Sequence, residues 1–184
     1  MKARFLMLLA LLCGGVALRG QGGVSAATQA KLVQNQAAKD NARDSLKAGN
    51  QNSAVAQLRS GLKKGDGGDA GDIEVVGALC SLANSLTAEL HPAGRDTALL
   101  AVSEASKAKG KLPRAEAAYL DAQIGGLYES ILGDRNKARE QYQSALAQDA
   151  TRKDAAEGLR RIARLEALLQ EKARENAALR SRGK

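Results

Sequence analysis

Tryptophan is absent from this 184-residue chain, phenylalanine occurs once and tyrosine three times. Sandwiches and barrels draw on β-branched and aromatic residues to fill their layers. A core this poor in rings must be built from alanine and leucine, which favours closely packed helices. Histidine is nearly absent too. His91 stands alone before Pro92 in a loop, which excludes a histidine-based triad and a multi-histidine metal site. No Gly-rich phosphate loop of the Walker type occurs, and no strand precedes one. Cysteine appears twice, at positions 13 and 80. Cys13 falls in a predicted leader, so the mature chain keeps one thiol and no intrachain disulfide.

What is present is apolar residue at 44%, enough for a core, and an excess of base: 28 basic against 20 acidic residues, net +8. The excess is local. Residues 1–26 carry Lys2, Arg4 and Arg19 and no acid, and the stretch from Thr151 to Lys184 holds ten basic and five acidic residues. The body between them is balanced. A basic tail without interleaved aromatics is not a nucleic-acid surface.

Met1-Lys2-Ala3-Arg4 is a basic start, and Phe5 to Cys13 is an unbroken apolar run extended loosely to Leu18. Basic, apolar, then small residues is the order of a secretory signal. The run is shorter than the ~20 residues a spanning helix needs. Residues 1–26 are therefore expected to be a signal peptide for a periplasmic or secreted protein. Cleavage is expected after Val24-Ser25-Ala26 or after Gly15-Val16-Ala17. Leu9-Ala10-Leu11-Leu12-Cys13 partly fits a lipobox, with Leu12 where Gly, Ala or Ser is wanted. A lipidated cysteine or an uncleaved anchor are the alternatives.

The rest divides into helical stretches separated by Gly, Asn and Asp. They cover about 28–47, 53–64, 72–90, 96–108, 113–132, 135–148 and 151 onward. Pro113 sits in a first turn, where proline is tolerated, and Thr151-Arg152-Lys153-Asp154 reads as a capping box. In the third stretch Val75, Leu79, Leu82, Leu86 and Leu90 form one stripe beside Ile73, Val76, Cys80 and Ala83. Two adjoining stripes mark a helix packed on more than one side, and Cys80 reads as a small buried hydrophobe.

The even-numbered stretches repeat a pattern. Ala54, Leu58 and Gly61-Leu62 answer to Ala98, Val102 and Ala105, and to Ala138, Tyr142 and Ala145-Leu146. Small residues let two helices approach, and the large one fills the gap between them. With Gly126 and the turn Gly133-Asp134, the third unit resembles a tetratricopeptide repeat at the family's spacing over about 119–150. The chain departs from the family in three ways. Ala54, Ala98 and Ala138 are 44 and 40 residues apart, against about 34 in the family. Ala150 stands where its closing proline belongs, and the aromatic of the first helix is missing.

The expected fold is all-α: a short tetratricopeptide-like α-solenoid of about three antiparallel helix pairs over 27–150. Residues 151–184 add a C-terminal capping helix with a basic, partly frayed tail. The resemblance implies a module that binds or scaffolds a protein or peptide, with no catalytic residues and no cofactor. The first helix of each pair lines the family's concave groove, which nominates Lys39, Arg43 and Lys47 for an acidic peptide, with Gln123, Leu127 and Ser130 in the third unit. The family's carboxylate clamp does not carry over, because Leu120, Ile124 and Leu127 stand where it wants polar groups. The alternative is an envelope-associated structural protein in membrane contact through its N-terminus or basic tail.

Two acidic groupings also invite chemistry. Asp66, Asp69, Asp72 and Glu74 lack the alternate spacing and the twelfth-position Glu of a calcium loop, and read as a flexible linker. Asp121 and Glu129, eight apart on one helix, have the residue types of an acid–base pair, but helices commonly carry such acids in solvent.

Overall fold

A computed structural model describes residues 25–64 and 71–182. The predicted leader through Val24 lies outside the described residues, as do Asp66 and Asp69. Among the described residues seven α-helices form, in the predicted order: α1 Ala26–Lys47, α2 Gln51–Gly61, α3 Asp72–Ala88, α4 Ala93–Lys109, α5 Arg114–Leu127, α6 Arg135–Gln148 and α7 Lys153–Arg182. The protein is all-α, with no strand among the described residues.

The punctuation residues end the helices by identifiable chemistry. Gly49 (φ 77°) and Gly133 (φ 73°) take the left-handed conformation that side chains resist. Asn50 and Asp134 then start the next helix by accepting the backbone N–H of Ser53 (3.2 Å) and Lys137 (3.0 Å). Helix α4 begins three residues before the predicted position, because Pro92 opens it and the His91 ring nitrogen Nδ1 accepts the Ala93 N–H at 3.2 Å. The lone histidine is thus part of a turn. The fifth stretch keeps its predicted end at Leu132, but its last five residues, Tyr128–Leu132, widen into a π-turn.

Helix α3 closes differently. Leu90 takes φ 57° and is 92% exposed. Its N–H bonds to the Thr87 carbonyl and that of His91 to the Leu86 carbonyl, a Schellman turn that normally ends in glycine. A leucine there costs about 1–2 kcal/mol and buries nothing in return. Leu90→Gly is expected to raise the thermal midpoint by a few degrees, measured by circular dichroism; a lowered midpoint would show that Leu90 is not strained.

The helices pack as consecutive pairs. The broadest contacts are α3 on α4, α5 on α6 and α1 on α2, and α7 lies on α6 and α5. Ala54, Ala98 and Ala138, the repeated small positions, are fully buried. Leu58 and Tyr142 fill beside them, while Val102 stays half-buried. One core joins α1 to α5 and takes in both stripes of α3, with Ile73 at its margin, except Leu90, which the turn at the end of α3 sends into solvent. Burial pushes the Cys80 thiol up to about 12, so at neutral pH it is a packed, protonated group. A second, smaller core of Ala122, Ala138, Tyr142, Ala145, Ala155 and Ile162 fixes α7. Past Glu166 every described residue of α7 is exposed. The tail expected to fray continues as helix to Arg182.

Candidate functional site

A groove of about 560 Å³ runs between α5 and α7, with Asn84 of α3 at its edge. Its construction starts from one ring. Tyr142 stands between two glycines, Gly125 of α5 and Gly158 of α7. A methyl group on Gly125 would lie 2.7 Å from the ring, and one on Gly158 would lie closer still. Glycine inside a helix costs about 1 kcal/mol relative to alanine. Here it gives the ring its slot. The residue one turn after Gly125 on the same face is Glu129, and its carboxylate accepts the Tyr142 hydroxyl at 2.7 Å. Arg161, one turn beyond Gly158, donates to both oxygens of that carboxylate, at 3.0 and 2.8 Å. Glu129, Tyr142 and Arg161 thus tie α5, α6 and α7 at the groove wall.

The network sets its own charge states. Arg161 holds the Glu129 carboxyl below the usual range, burial opposes this, and the Tyr142 hydroxyl adds to the lowering. Burial raises the Tyr142 phenol, and the neighbouring carboxylate raises it further. The phenol is therefore a donor at neutral pH. Because the folded carboxyl is lowered, its stabilisation is complete above the unfolded value of about 4.3 and is lost as pH falls through the folded value. Acidification from about pH 5 to pH 3 is expected to lower the thermal midpoint, and Glu129→Gln to flatten that slope. An unchanged slope in the variant would exclude Glu129 as the group responsible.

The groove gathers three of the six nominated residues. Gln123 is half-buried on the wall, Ser130 is exposed with its Oγ donating to the Gly126 carbonyl at 2.7 Å, and Leu127, 1% exposed, is floor. The sequence reading misses Asp154, Glu157, Arg161 and Leu165, which form the opposite wall. Their signal is Gly158, a glycine inside an amphipathic helix, which calls for a packing reason.

Lys39, Arg43 and Lys47 do not line this groove. Arg43 bonds Glu89, which closes α3, and Lys47 reaches the same carboxylate at 3.5 Å. Lys39 lines a separate cleft of about 250 Å³ with Asn35, Leu62, Lys63, Glu74 and Gly77. Asn35 clasps the end of α2, accepting the Lys63 N–H at 2.7 Å and donating to its carbonyl at 3.1 Å. Arg43 and Lys47 thus hold α1 to the end of α3.

The two acidic groupings resolve similarly. Asp72 pairs with Arg59 at 2.7 Å, and Glu74 accepts the Gly71 N–H at 2.7 Å. No group of acidic, histidine or cysteine side chains able to hold a metal occurs among the described residues. Asp121 and Glu129 do not form a pair. Asp121 is buried against Lys109 (2.7 Å), Ser144 (2.6 Å) and Gln148 (2.6 Å), while Glu129 belongs to the groove network. Compared with known proteins, the chain matches no family model, no curated protein and no solved structure.

Proposed function

We propose that this chain is an exported interaction module, a short solenoid of tetratricopeptide type that holds a protein or peptide segment in the groove between α5 and α7. Support for the solenoid comes from the order of contacts. The first helices of successive pairs touch in series, α1 to α3, α3 to α5 and α5 to the closing helix α7. Repeat arrays need such a cap, because a terminal apolar face otherwise meets water. Export rests on the basic, apolar and small order of residues 1–26. No helix of the described residues is long and apolar enough to cross a membrane.

The groove carries the reading. Leu127 and Leu165 offer apolar contact, and Asn84, Gln123 and Ser130 offer hydrogen bonds. Glu129, Asp154 and Glu157 outnumber Arg161. Arg161 is engaged by Glu129, and Asp154 by Arg152. Glu157 is exposed and has no ion pair among the described residues. The stripe on α1 suggested an acidic ligand, but this groove favours a segment carrying a lysine or arginine beside an apolar residue.

Selection of a random peptide library on the purified chain tests this. Enriched sequences should be basic and apolar, and their binding by fluorescence polarisation should weaken about tenfold or more in Glu157→Lys. The Glu157 carboxylate is exposed, so the variant should melt like the parent. Failure to enrich, or equal binding by the variant, would remove the groove as the site. Arg43→Glu is a poor test of an acidic ligand, since it would set two carboxylates together at Glu89.

A further inference from the structure

Helix α7 has 30 residues, about 45 Å at 1.5 Å per residue. Its first half is covered by α5 and α6. Its second half is covered by nothing among the described residues, yet it carries an ordered pattern. Ile162, Leu165, Leu169, Asn176 and Leu179 fall at the alternating three- and four-residue steps of a heptad, with Lys172 at the one remaining seam position. Ile162 is buried in the protomer, whereas Leu165, Leu168, Leu169 and Leu179 are 39–65% exposed. The seam becomes free where the body ends. A helical stretch of that length is marginal in water by itself.

We propose that the exposed face of α7 from Leu169 to Leu179, beyond the groove that Leu165 lines, pairs with the same face of a second copy as a parallel two-stranded coiled coil. Charge complementarity selects this occupant. In a parallel pair, each residue flanking the seam meets the residue five positions further along the partner. Glu175 then faces the Arg180 position of the other copy, twice by symmetry. Asn176 lies opposite its own counterpart, and a lone seam asparagine favours two parallel strands in a single register. An antiparallel pair that aligns Leu169 with Leu179 instead sets Glu175 against its own copy. Lys172 is drawn to the rim, its Nζ 2.9 Å from Glu175. A lipid surface is a poorer occupant: Asn176 and Lys172 interrupt the apolar face, Glu175 borders it, and α7 has no aromatic residue. The resulting dimer carries two grooves and gains avidity for a partner that presents two segments.

The full-length chain, with Cys13→Ser to leave only the buried Cys80, provides the test. Light scattering across a concentration series should give twice the chain mass, falling to one chain mass in Leu169→Asp with the melting of the body unchanged. Asn176→Cys should form an intermolecular disulfide under mild oxidant, and Ala177→Cys, on the outer face, should not. A monomer at every concentration would overturn the proposal, as would a dimer that survives Leu169→Asp or crosslinking at position 177 but not at 176. A monomer that floats with anionic phospholipid vesicles and loses this in Leu169→Asp would assign the face to lipid and equally overturn it.

Discussion

Tyr142→Ala should cost about 3–5 kcal/mol, the usual result of emptying a buried aromatic site, and lower the thermal midpoint by roughly 10 °C. The loss should fall unevenly. The ring is the largest member of the small core that fixes α7, and its slot is walled by helix backbone at Gly125 and Gly158. Backbone cannot collapse into the void as flexible side chains can. Amide exchange should therefore quicken in the first half of α7 before it does in α3. Tyr142→Phe keeps the ring and removes its hydroxyl, which donates to Glu129 and accepts from Arg161 at 3.3 Å, a loss of about 1 kcal/mol. Gly158→Ala attacks the same slot from outside. On an open helix the change would stabilise by up to about 1 kcal/mol. Here the added methyl meets the ring, and overpacking should destabilise by about 1–3 kcal/mol. A stabilised Gly158→Ala variant would mean that α7 does not sit on Tyr142, and the groove would lose its second wall.

That slot also marks where sequence reasoning reaches its limit. Helix positions were legible because they depend on local chemistry: Gly49 and Gly133 at left-handed turns, Asn50 and Asp134 as caps, and the two stripes of α3. The repeated alanines were legible because close packing leaves a periodic trace. The groove was legible on one side only. Gln123, Leu127 and Ser130 follow from the position of α5 in its pair. The wall on α7 depends on which residues of a later helix meet a ring 16 positions before Gly158, and no period records that. The pairing of Arg43 and Lys47 with Glu89 was hidden for a similar reason. Glu89, their partner, is 46 residues from Arg43, and four-residue spacing on α1 looks the same whether a cation faces solvent or a carboxylate.

Asp121→Ala should be the second costly substitution, at about 3 kcal/mol. The side chain is buried at 4% exposure, and it joins three helices. From α5 it pairs with Lys109 of α4 at 2.7 Å and accepts from Ser144 and Gln148 of α6, each at 2.6 Å. Removing it leaves an ammonium and two neutral donors facing a cavity. Lys109 is 41% exposed at the side chain, so it can turn to water, which keeps the loss below that of a fully stranded charge. Ser144 and Gln148 are half-buried and partly satisfied by each other. Asp121→Asn separates the contributions. It retains an acceptor for one donor but loses the charge and sets an amide N–H₂ toward Lys109, so about half the alanine loss should remain. Double-mutant cycles with Lys109→Met should give a coupling of about 1 kcal/mol or more, read from urea midpoints. A coupling near zero would mean that Asp121 is held by Ser144 and Gln148 alone. The third and second helix pairs would then be joined by apolar contacts without this ionic bolt.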